Sequence, residues 1–217
     1  MTLRAKNTYW LYKHQINKTT VQSFKKFFIL DFEATCDENG SLSPQEIIEF
    51  PCLAINSSNL QIEGKFHRFV KPKIHPQITS YCTQLTGITQ NIIENEPEFP
   101  IIYDEFLQWL QKNLGTITPD KAIFITSGNW DLKIMFPQQC KFYNLEIPQQ
   151  MKQWINIKTA FYRGTGHYPR SLSSMYKYLN ITMTEKLHSG IGDCYSILTI
   201  LSWLMKNGLI FEKTDQL

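Results

Sequence analysis

The feature that most constrains this chain is an apolar run that ends in two acids, KFFILDFEA at residues 26–34. The uninterrupted apolar stretch 27–30 is typical of a buried strand. Side chains alternate along a strand, so Asp31 and Glu33 are expected on one face and Phe32 on the opposite, core-facing side. Two neighbouring carboxylates repel each other and resist losing their water. A bound cation is therefore favoured between them, and a solvated strand end is the alternative.

Further acids stand where helices are predicted to begin. Asp131 follows the apolar strand KAIFITSGN (121–129) and its Gly-Asn turn, and Asp193 begins the last apolar helix. Taken alone, each is typical of an acid stabilised by a helix start. His188 stands five residues before Asp193, and a lone loop histidine is usually a surface residue.

Taken as a set, these residues indicate a two-metal site. In an α/β sheet, the carboxyl ends of strands and the adjoining helix starts meet in one crevice. Carboxylates gathered there can hold two divalent cations for phosphodiester hydrolysis. Oxygen ligands favour Mg²⁺ or Mn²⁺ over zinc. A nearby histidine can act as the general base, because it titrates close to neutral pH.

The pattern elsewhere predicts one α/β domain, with helices on both faces of a central mixed sheet. Its strands and helices are recognised from alternating and helical hydrophobic periods. The predicted segments are strands at 46–56 and 61–70 that continue an antiparallel meander, helical residues 80–95 interrupted at Gly87, a helix at 101–114, a short helix at 130–136 stopped before Pro137, a strand or short helix at 153–162, a helix at 171–179, and a loop at 188–193 before a buried helix at 194–209.

Charge divides the chain unevenly. The net charge is +3, but residues 1–30 contain six basic residues and no acid, so 31–217 carries −3. We therefore predict a basic, partly ordered N-terminal arm at 1–25, a domain at 26–212 and a C-terminal tail at 213–217. A basic arm suits a polyanionic partner, and a solubilising tail is the alternative.

The predicted location is the cytoplasm, with the nucleus as the alternative and mitochondria disfavoured. The five cysteines are widely spaced and form no CxxC pair, which suits a reducing compartment. No run of 18 apolar residues occurs, so no membrane association is expected. The start also lacks the apolar core of a secretory signal.

Six segments, in order, resemble the Eri-type (enhanced-RNAi) 3′–5′ exoribonucleases of the DEDDh branch of the exonuclease superfamily. The resemblance covers residues 26–212 and implies a ribonuclease H-like exonuclease fold. A related branch places tyrosine four residues before the last acid, where this chain has Ser189, so the histidine branch is favoured. The segments are FFILDFEATC, EIIEFP, SYCTQLTGIT, FITSGNWDLKIMFPQQC, QWINIKTAFY and HSGIGDC.

The resemblance implies a role for each acid. Asp31 matches the ligand shared by both metals, Glu33 and Asp193 match ligands of the metal that activates water, and Asp131 matches the ligand of the other metal. His188 matches the general base.

For the substrate, the resemblance implies that Ala34 and Thr35 approach the terminal ribose. Trp130 is a further candidate because aromatic faces hold single-stranded bases, although packing in the core explains it equally well. Relatives usually carry Asp-Asp where this chain has Gly192-Asp193, and Gly192 is expected to loosen the helix start. A separate RNA-binding domain does not fit in the short arm, which disfavours tight stem-loop binding.

The sequence thus predicts a metal-dependent 3′–5′ exonuclease that acts as a monomer on single-stranded RNA 3′ ends and releases nucleoside 5′-monophosphates. A DNase or a nuclease for both polymers is one alternative. A nucleic-acid-binding scaffold with weak catalysis is another, disfavoured because all matched catalytic positions are filled. The physiological RNA, the pathway and any protein partner are not predicted.

Overall fold

A mixed seven-stranded sheet forms the centre of the computed structural model, which describes residues 21–217. β3 lies between β4 and β1, and β5, β6 and β7 follow on the far side of β1. β2 continues the line of β1 beside β3 after a break at residues 31–32. The strands are β1 (Lys26–Leu30), β2 (Glu33–Ala34), β3 (Ile47–Asn56), β4 (Ile62–Phe69), β5 (Ala122–Thr126), β6 (Gln153–Asn156) and β7 (Asp215–Gln216).

Strand direction confirms the predicted mixed sheet and the antiparallel meander. β3 runs antiparallel to both β1 and β4, whereas β1, β5 and β6 are parallel to one another. The carboxyl ends of the three parallel strands therefore lie at one edge of the sheet. Ligand sites of open α/β sheets form at that edge.

Helices cover both faces of the sheet, as predicted. α3 and α4 pack on one face, and α5, α6 and α7 pack on the other. The helices are α1 (Ser80–Thr86), α2 (Gln90–Ile93), α3 (Phe99–Leu114), α4 (Phe136–Phe142), α5 (Ile157–Thr165), α6 (Leu172–Leu179) and α7 (Gly190–Lys206). In the described part of the chain, no helix combines the length and apolarity needed to cross a membrane.

The side chains of β1 alternate between the two faces of the sheet, and this alternation determines the face on which the acids lie. Phe28, Leu30 and Phe32 lie in the core beneath α3 and α4, whereas Phe27 and Ile29 lie in the core beneath α7. The prediction that Phe32 faces the core is confirmed: its ring packs 4.8 Å from Phe50, centroid to centroid. The acids on either side of Phe32 are therefore directed towards the α7 side.

The expectation that a helix ends before Pro137 is wrong. A π-helical turn at Asp131–Met135 leads directly into α4, and Pro137 stands in the first turn of that helix. The Phe136 N–H donates to the Asp131 carbonyl, five residues back. Proline inside a continuous helix removes an N–H donor and crowds the carbonyl four residues earlier. The π turn has hydrogen bonds between residues five apart, and this wider spacing lets the helix continue through Pro137.

The chain ends also differ from the expectation. The predicted tail contains β7, which pairs with β6 in the order Gln153–Gln216 and Trp154–Asp215. Backbone hydrogen bonding to the open edge of β6 orders a polar segment that lacks the hydrophobic period of a strand. α7 begins at Gly190, four residues earlier than expected. Residues 1–20 of the predicted arm lie outside the described residues.

Replacing Phe50 by alanine should lower the free energy of unfolding by about 3–5 kcal/mol, the usual cost of deleting a buried phenylalanine ring. Phe50 is fully buried, and its ring meets those of Phe66 and Phe106. Urea denaturation monitored by circular dichroism measures the change. The control is Ile101→Ala on α3, where the side chain is 55% exposed. That variant should stay within about 0.5 kcal/mol of wild type, and equal losses in the two variants would contradict the core assignment.

Candidate functional site

Three of the predicted acids meet at the carboxyl edge of the sheet. Each of Asp31, Glu33 and Asp193 offers a carboxylate oxygen, and these oxygens lie within 4.8 Å of one another. Asp31 stands in the break between β1 and β2, Glu33 begins β2, and Asp193 belongs to the first turn of α7. The break and the strand alternation together place residues from distant parts of the chain in one cluster.

Asp131 is tied to the same cluster through the backbone of Phe32. The Phe32 N–H donates to Asp131 Oδ1 at 2.8 Å, and Asp131 is almost fully buried. The turn before it is held by Asn129, whose Oδ1 accepts from Trp154 Nε1 at 3.0 Å and whose Nδ2 donates to Asp215 at 2.9 Å. Side chains on β6 and β7 thus fix the turn that presents Asp131.

The start of α7 holds Asp193 and carries His188 just outside the helix. Asp193 Oδ2 accepts the His188 backbone N–H at 3.0 Å, whereas the buried Oδ1 has no hydrogen-bond partner in the described residues. His188 itself is exposed and has a φ of 58°, in the left-handed region. The backbone of His188 is therefore fixed to the cluster, and its imidazole is open to solvent.

Glu49 fixes α7 against the sheet. Its carboxylate accepts the backbone N–H groups of Gly190 and Ile191, each at 3.0 Å, and lies 2.8 Å from His67 Nε2. The first turn of a helix offers such unpaired N–H groups and favours negative charge. The predicted site residues do not include Glu49, whose place at the site follows from strand pairing: it is the cross-strand partner of Glu33.

Glycine is required where α7 meets the strands. A Cβ on Gly190 would lie 2.6 Å from the Asp31 carbonyl oxygen, too close for any other residue without movement of the backbone. Gly192, which was expected to loosen the helix start, is instead buried inside the first turn, where a Cβ would stand 3.0 Å from the Lys186 carbonyl. Close packing rather than looseness characterises this helix start.

Burial and mutual repulsion raise the pKa of every acid in the cluster. Burial, followed by the charges of Asp131 and Asp193, raises the pKa of Asp31 well above its usual range. Burial, then Glu49 and Asp193, raises the pKa of Glu33 to about 8. Burial raises the pKa of Asp131 to about 6, although the Phe32 N–H opposes the shift. Burial likewise raises the pKa of Asp193 to about 6 against the opposing His188 N–H.

Lys158 is a cation that the sequence analysis missed at this edge. It follows β6 directly, in the first turn of α5, and its charge lowers the pKa of Asp131. Its Nζ stands 4.0 Å from the position a Cβ would take on Gly128, in the turn before Asp131. The available signal was the strand ending at Asn156, since parallel strands end at the same edge.

The predicted substrate-binding residues stand next to the cluster acids in the sequence. Ala34 and Thr35 follow Glu33 directly and are buried, and the Thr35 hydroxyl accepts the Glu46 backbone N–H at 2.9 Å. Trp130 precedes Asp131, is partly buried and packs against the core beneath α3 and α4. Packing therefore accounts for part of the Trp130 ring.

The donor set fits divalent cations that prefer oxygen. The cluster provides carboxylate oxygens, the ligand type of Mg²⁺ and Mn²⁺. The partnerless Asp193 Oδ1 is a buried acceptor that a cation would satisfy. A cation would also relieve the repulsion that raises the pKa values of the acids.

Comparison with known proteins relates most of the chain to nucleases. Residues 28–201 match the family described as Exonuclease. ERI1 exoribonuclease 3 of Homo sapiens is 42% identical over 197 residues, which make up 90% of this chain and 58% of that protein. The 3′-5′ exoribonuclease 1 of Homo sapiens is 34% identical over 94% of this chain and 60% of that protein. The chain thus spans about three fifths of the length of these curated relatives.

Solved structures confirm the predicted ribonuclease H-like exonuclease fold. The nuclease domain of 3′hExo, a DEDDh family member bound to rAMP, is similar with a TM-score of 0.85 and 31% identity, over 91% of this chain and 100% of that one. A 3′-exonuclease described with 3′-end-specific recognition of histone mRNA stem-loop is similar with a TM-score of 0.86 and 30% identity, over 99% of this chain and 75% of that one.

The metal-free protein should lose stability as pH rises from about 5 to about 8.5. Carboxyl groups with raised pKa values bind more protons folded than unfolded, so their ionisation favours unfolding as pH passes through the folded values of about 6 for Asp131 and about 8 for Glu33. Urea denaturation in EDTA at both pH values measures the fall in unfolding free energy.

Asp31→Asn should reduce that fall, because it removes one of the repelling charges. The matched control is Asp104→Asn on the exposed side of α3, which should behave like wild type. Equal stability of the wild-type protein at the two pH values would show that the acids do not repel one another in the folded state.

Proposed function

This chain belongs to the Eri-type DEDDh group of the exonuclease family, and we propose that it removes nucleotides from the 3′ end of single-stranded RNA, releasing nucleoside 5′-monophosphates. The observation that supports the proposal most directly is the cluster of Asp31, Glu33 and Asp193, whose carboxylate oxygens lie within 4.8 Å of one another. The names of the relatives, which refer to exoribonucleases, favour RNA as the substrate.

The acids would hold two divalent cations, with Mg²⁺ proposed and Mn²⁺ as its substitute. Asp31 would be shared, Glu33 and Asp193 would complete one position, and Asp131 would serve the other. Such cations, when bound, supply charge neutralisation at the scissile phosphate and a more acidic attacking water. The chain's own part is to keep the carboxylates in place, through Glu49 beneath α7 and through the Phe32 N–H on Asp131.

His188 would accept the proton from the attacking water. Its side chain is exposed, and its backbone N–H is held by Asp193, one of the cluster acids. A base tethered only through its backbone can reach the water without itself binding a metal. An imidazole suits this role because it exchanges protons near neutral pH.

Ala34, Thr35 and Trp130 would position the terminal nucleotide. Ala34 and Thr35 directly follow a metal-binding acid, which brings their backbone next to the scissile bond. The part of the Trp130 ring that is not buried is available to a base beside Asp131. We further propose that the protein is a monomer. We also propose a reducing compartment such as the cytoplasm, because all five cysteines are free thiols.

The purified chain should shorten labelled single-stranded RNA from its 3′ end only when Mg²⁺ or Mn²⁺ is present, and Asp31→Asn should abolish this activity. Removal of the shared ligand leaves neither cation properly held. Gel analysis of RNA and DNA oligonucleotides of the same sequence, labelled at the 5′ end, measures the rate and polarity. Asp104→Asn is the control and should cleave at the wild-type rate.

Each outcome of that assay decides between the candidate activities. Equal cleavage rates on RNA and DNA would identify a nuclease that acts on both polymers. Cleavage of DNA alone would identify a DNase. Binding without turnover at any metal concentration would favour the scaffold alternative. Near-normal cleavage by Asp31→Asn would show that the metal site lies elsewhere.

His188→Asn should lower the cleavage rate by about 10²–10⁴-fold, the usual contribution of a positioned general base, while metal affinity changes little. Asparagine is chosen because it tolerates the left-handed backbone conformation of this position, so the loop is kept. Pairing pH–rate profiles with calorimetric metal titrations separates the two effects. The wild-type rate should depend on pH through the proton-accepting imidazole, and the variant should lack that dependence.

Asp193→Asn is the matched comparison at the other end of the same hydrogen bond. It should weaken metal binding, and added Mn²⁺ should restore part of the activity. Loss of metal binding in His188→Asn as severe as in Asp193→Asn would mean that the histidine is a ligand rather than the base.

A further inference from the structure

Three tyrosine rings stand largely in solvent on one part of the surface, outside the acidic cluster. Tyr162 on α5 is 51% exposed, Tyr168 in the following loop 58%, and Tyr178 on α6 48%. His167 lies among them and is also exposed. We call these four residues the tyrosine surface. Large exposed rings gathered in one place mark binding sites more often than rings scattered singly.

Local structure holds these rings in place without burying them. Gly166 ends α5 with a φ of +75°, which turns the chain so that the Tyr168 ring comes within 6.1 Å of the Tyr162 ring, centroid to centroid. The rings of His167 and Tyr178 are stacked at 4.6 Å with an interplanar angle of 10°. The rings therefore offer flat faces whose positions are set before any ligand arrives.

The chain segment that carries the tyrosine surface has charge of one sign. Residues 147–184 contain five lysines and arginines and no aspartate or glutamate. Arg170 and Lys177 are exposed in this stretch, whereas Arg163 lies 3.5 Å from Glu212 and is partly neutralised. Exposed aromatic faces among cations are the combination that binds single-stranded nucleic acid, through base stacking and phosphate contact.

α5 connects this surface to the acidic cluster. The helix begins where β6 ends, at the same sheet edge as Asp131, and Lys158 in its first turn acts on that acid. Tyr162 is four residues beyond Lys158 and so lies on the same helix face, about 6 Å further along the axis. Lys158 near the turn before Asp131, Tyr162 one helix turn further, and Tyr168 next to Tyr162 thus follow one another from the edge of the acids outward.

We propose that the tyrosine surface binds the nucleotides of a single-stranded RNA that precede its 3′ end, with bases stacking on Tyr162 and Tyr168 and phosphates meeting Arg170 and Lys177. This inference rests on the proposed function, because it assumes that the 3′ end lies at the acidic cluster. A protein partner with an acidic face is the competing occupant.

The test measures the affinity of the full chain for a 5′-fluorescein single-stranded RNA of about 12 nucleotides, within the range of single-strand binding sites. Fluorescence anisotropy in EDTA keeps the RNA intact. The double variant Tyr162→Ala/Tyr168→Ala should raise Kd by about 5-fold to about 150-fold for each stacked base that it releases. The double variant Tyr162→Phe/Tyr168→Phe keeps both rings and should bind like wild type.

Further controls separate the surface from the rest of the molecule. Tyr81→Ala on α1 removes a ring that is 38% exposed elsewhere and should leave Kd unchanged. Arg170→Gln/Lys177→Gln should lower the slope of log K against log salt by roughly 0.7 for each phosphate that is no longer neutralised. With Mg²⁺ present, the alanine double variant should hydrolyse a dinucleotide at the wild-type rate, since so short a substrate does not reach the tyrosine surface.

Unchanged RNA affinity in the alanine double variant would overturn the proposal and favour a protein partner. An equal loss of affinity in the phenylalanine variant, or a loss of dinucleotide hydrolysis, would overturn it as well, because neither follows from the removal of base stacking. Failure of the proposed function is distinguishable. If the wild-type chain binds the RNA through these rings but never cleaves it, RNA binding by the tyrosine surface is supported and the exonuclease activity is contradicted.

Discussion

Several carboxyl groups are buried together at one edge of the sheet, where burial and mutual repulsion both oppose their charged forms. The pKa values of Asp31, Glu33 and Asp193 are all raised by burial and by neighbouring acids. The fold opposes this repulsion with backbone N–H groups: Phe32 donates to Asp131, His188 donates to Asp193, and the start of α7 donates to Glu49. Donors built into strands and helix ends are fixed in position, so the cluster stays assembled while its oxygens remain open to cations.

The sequence predicts those parts of this arrangement that follow from local periodicity and strand direction. Alternation along 27–33 places Phe32 in one core and directs the flanking acids to the other side. The apolar strand before Asp131 predicts that this acid reaches the sheet edge where Asp31 lies, because parallel strands end together. Side-chain alternation and the common edge of parallel strands, together with the ordered family motifs, are sufficient to predict the fold class and the acids of the cluster.

The remainder depends on contacts between distant residues, which periodicity does not encode. Pro137 predicts the end of a helix, yet the π turn before it lets the helix continue. β7 has no hydrophobic pattern, because it owes its order to the open edge of β6 and to the bond between Asn129 and Asp215. Glu49 looks like an ordinary strand acid until α7, more than a hundred residues later, brings its N–H groups to it.

The distribution of charge along α5 links the acidic cluster to the tyrosine surface. A metal-free cluster of acids offers phosphates no attraction, so the acids contribute to RNA affinity only after cations have bound. Lys158 lies within the acid-free stretch 147–184, its charge lowers the pKa of Asp131, and the tyrosine surface follows it along the chain. The proposed binding of upstream nucleotides would not depend on metal occupancy, because the tyrosine surface contains none of the cluster acids. The cations then govern the cleavage step more than the initial capture of the strand.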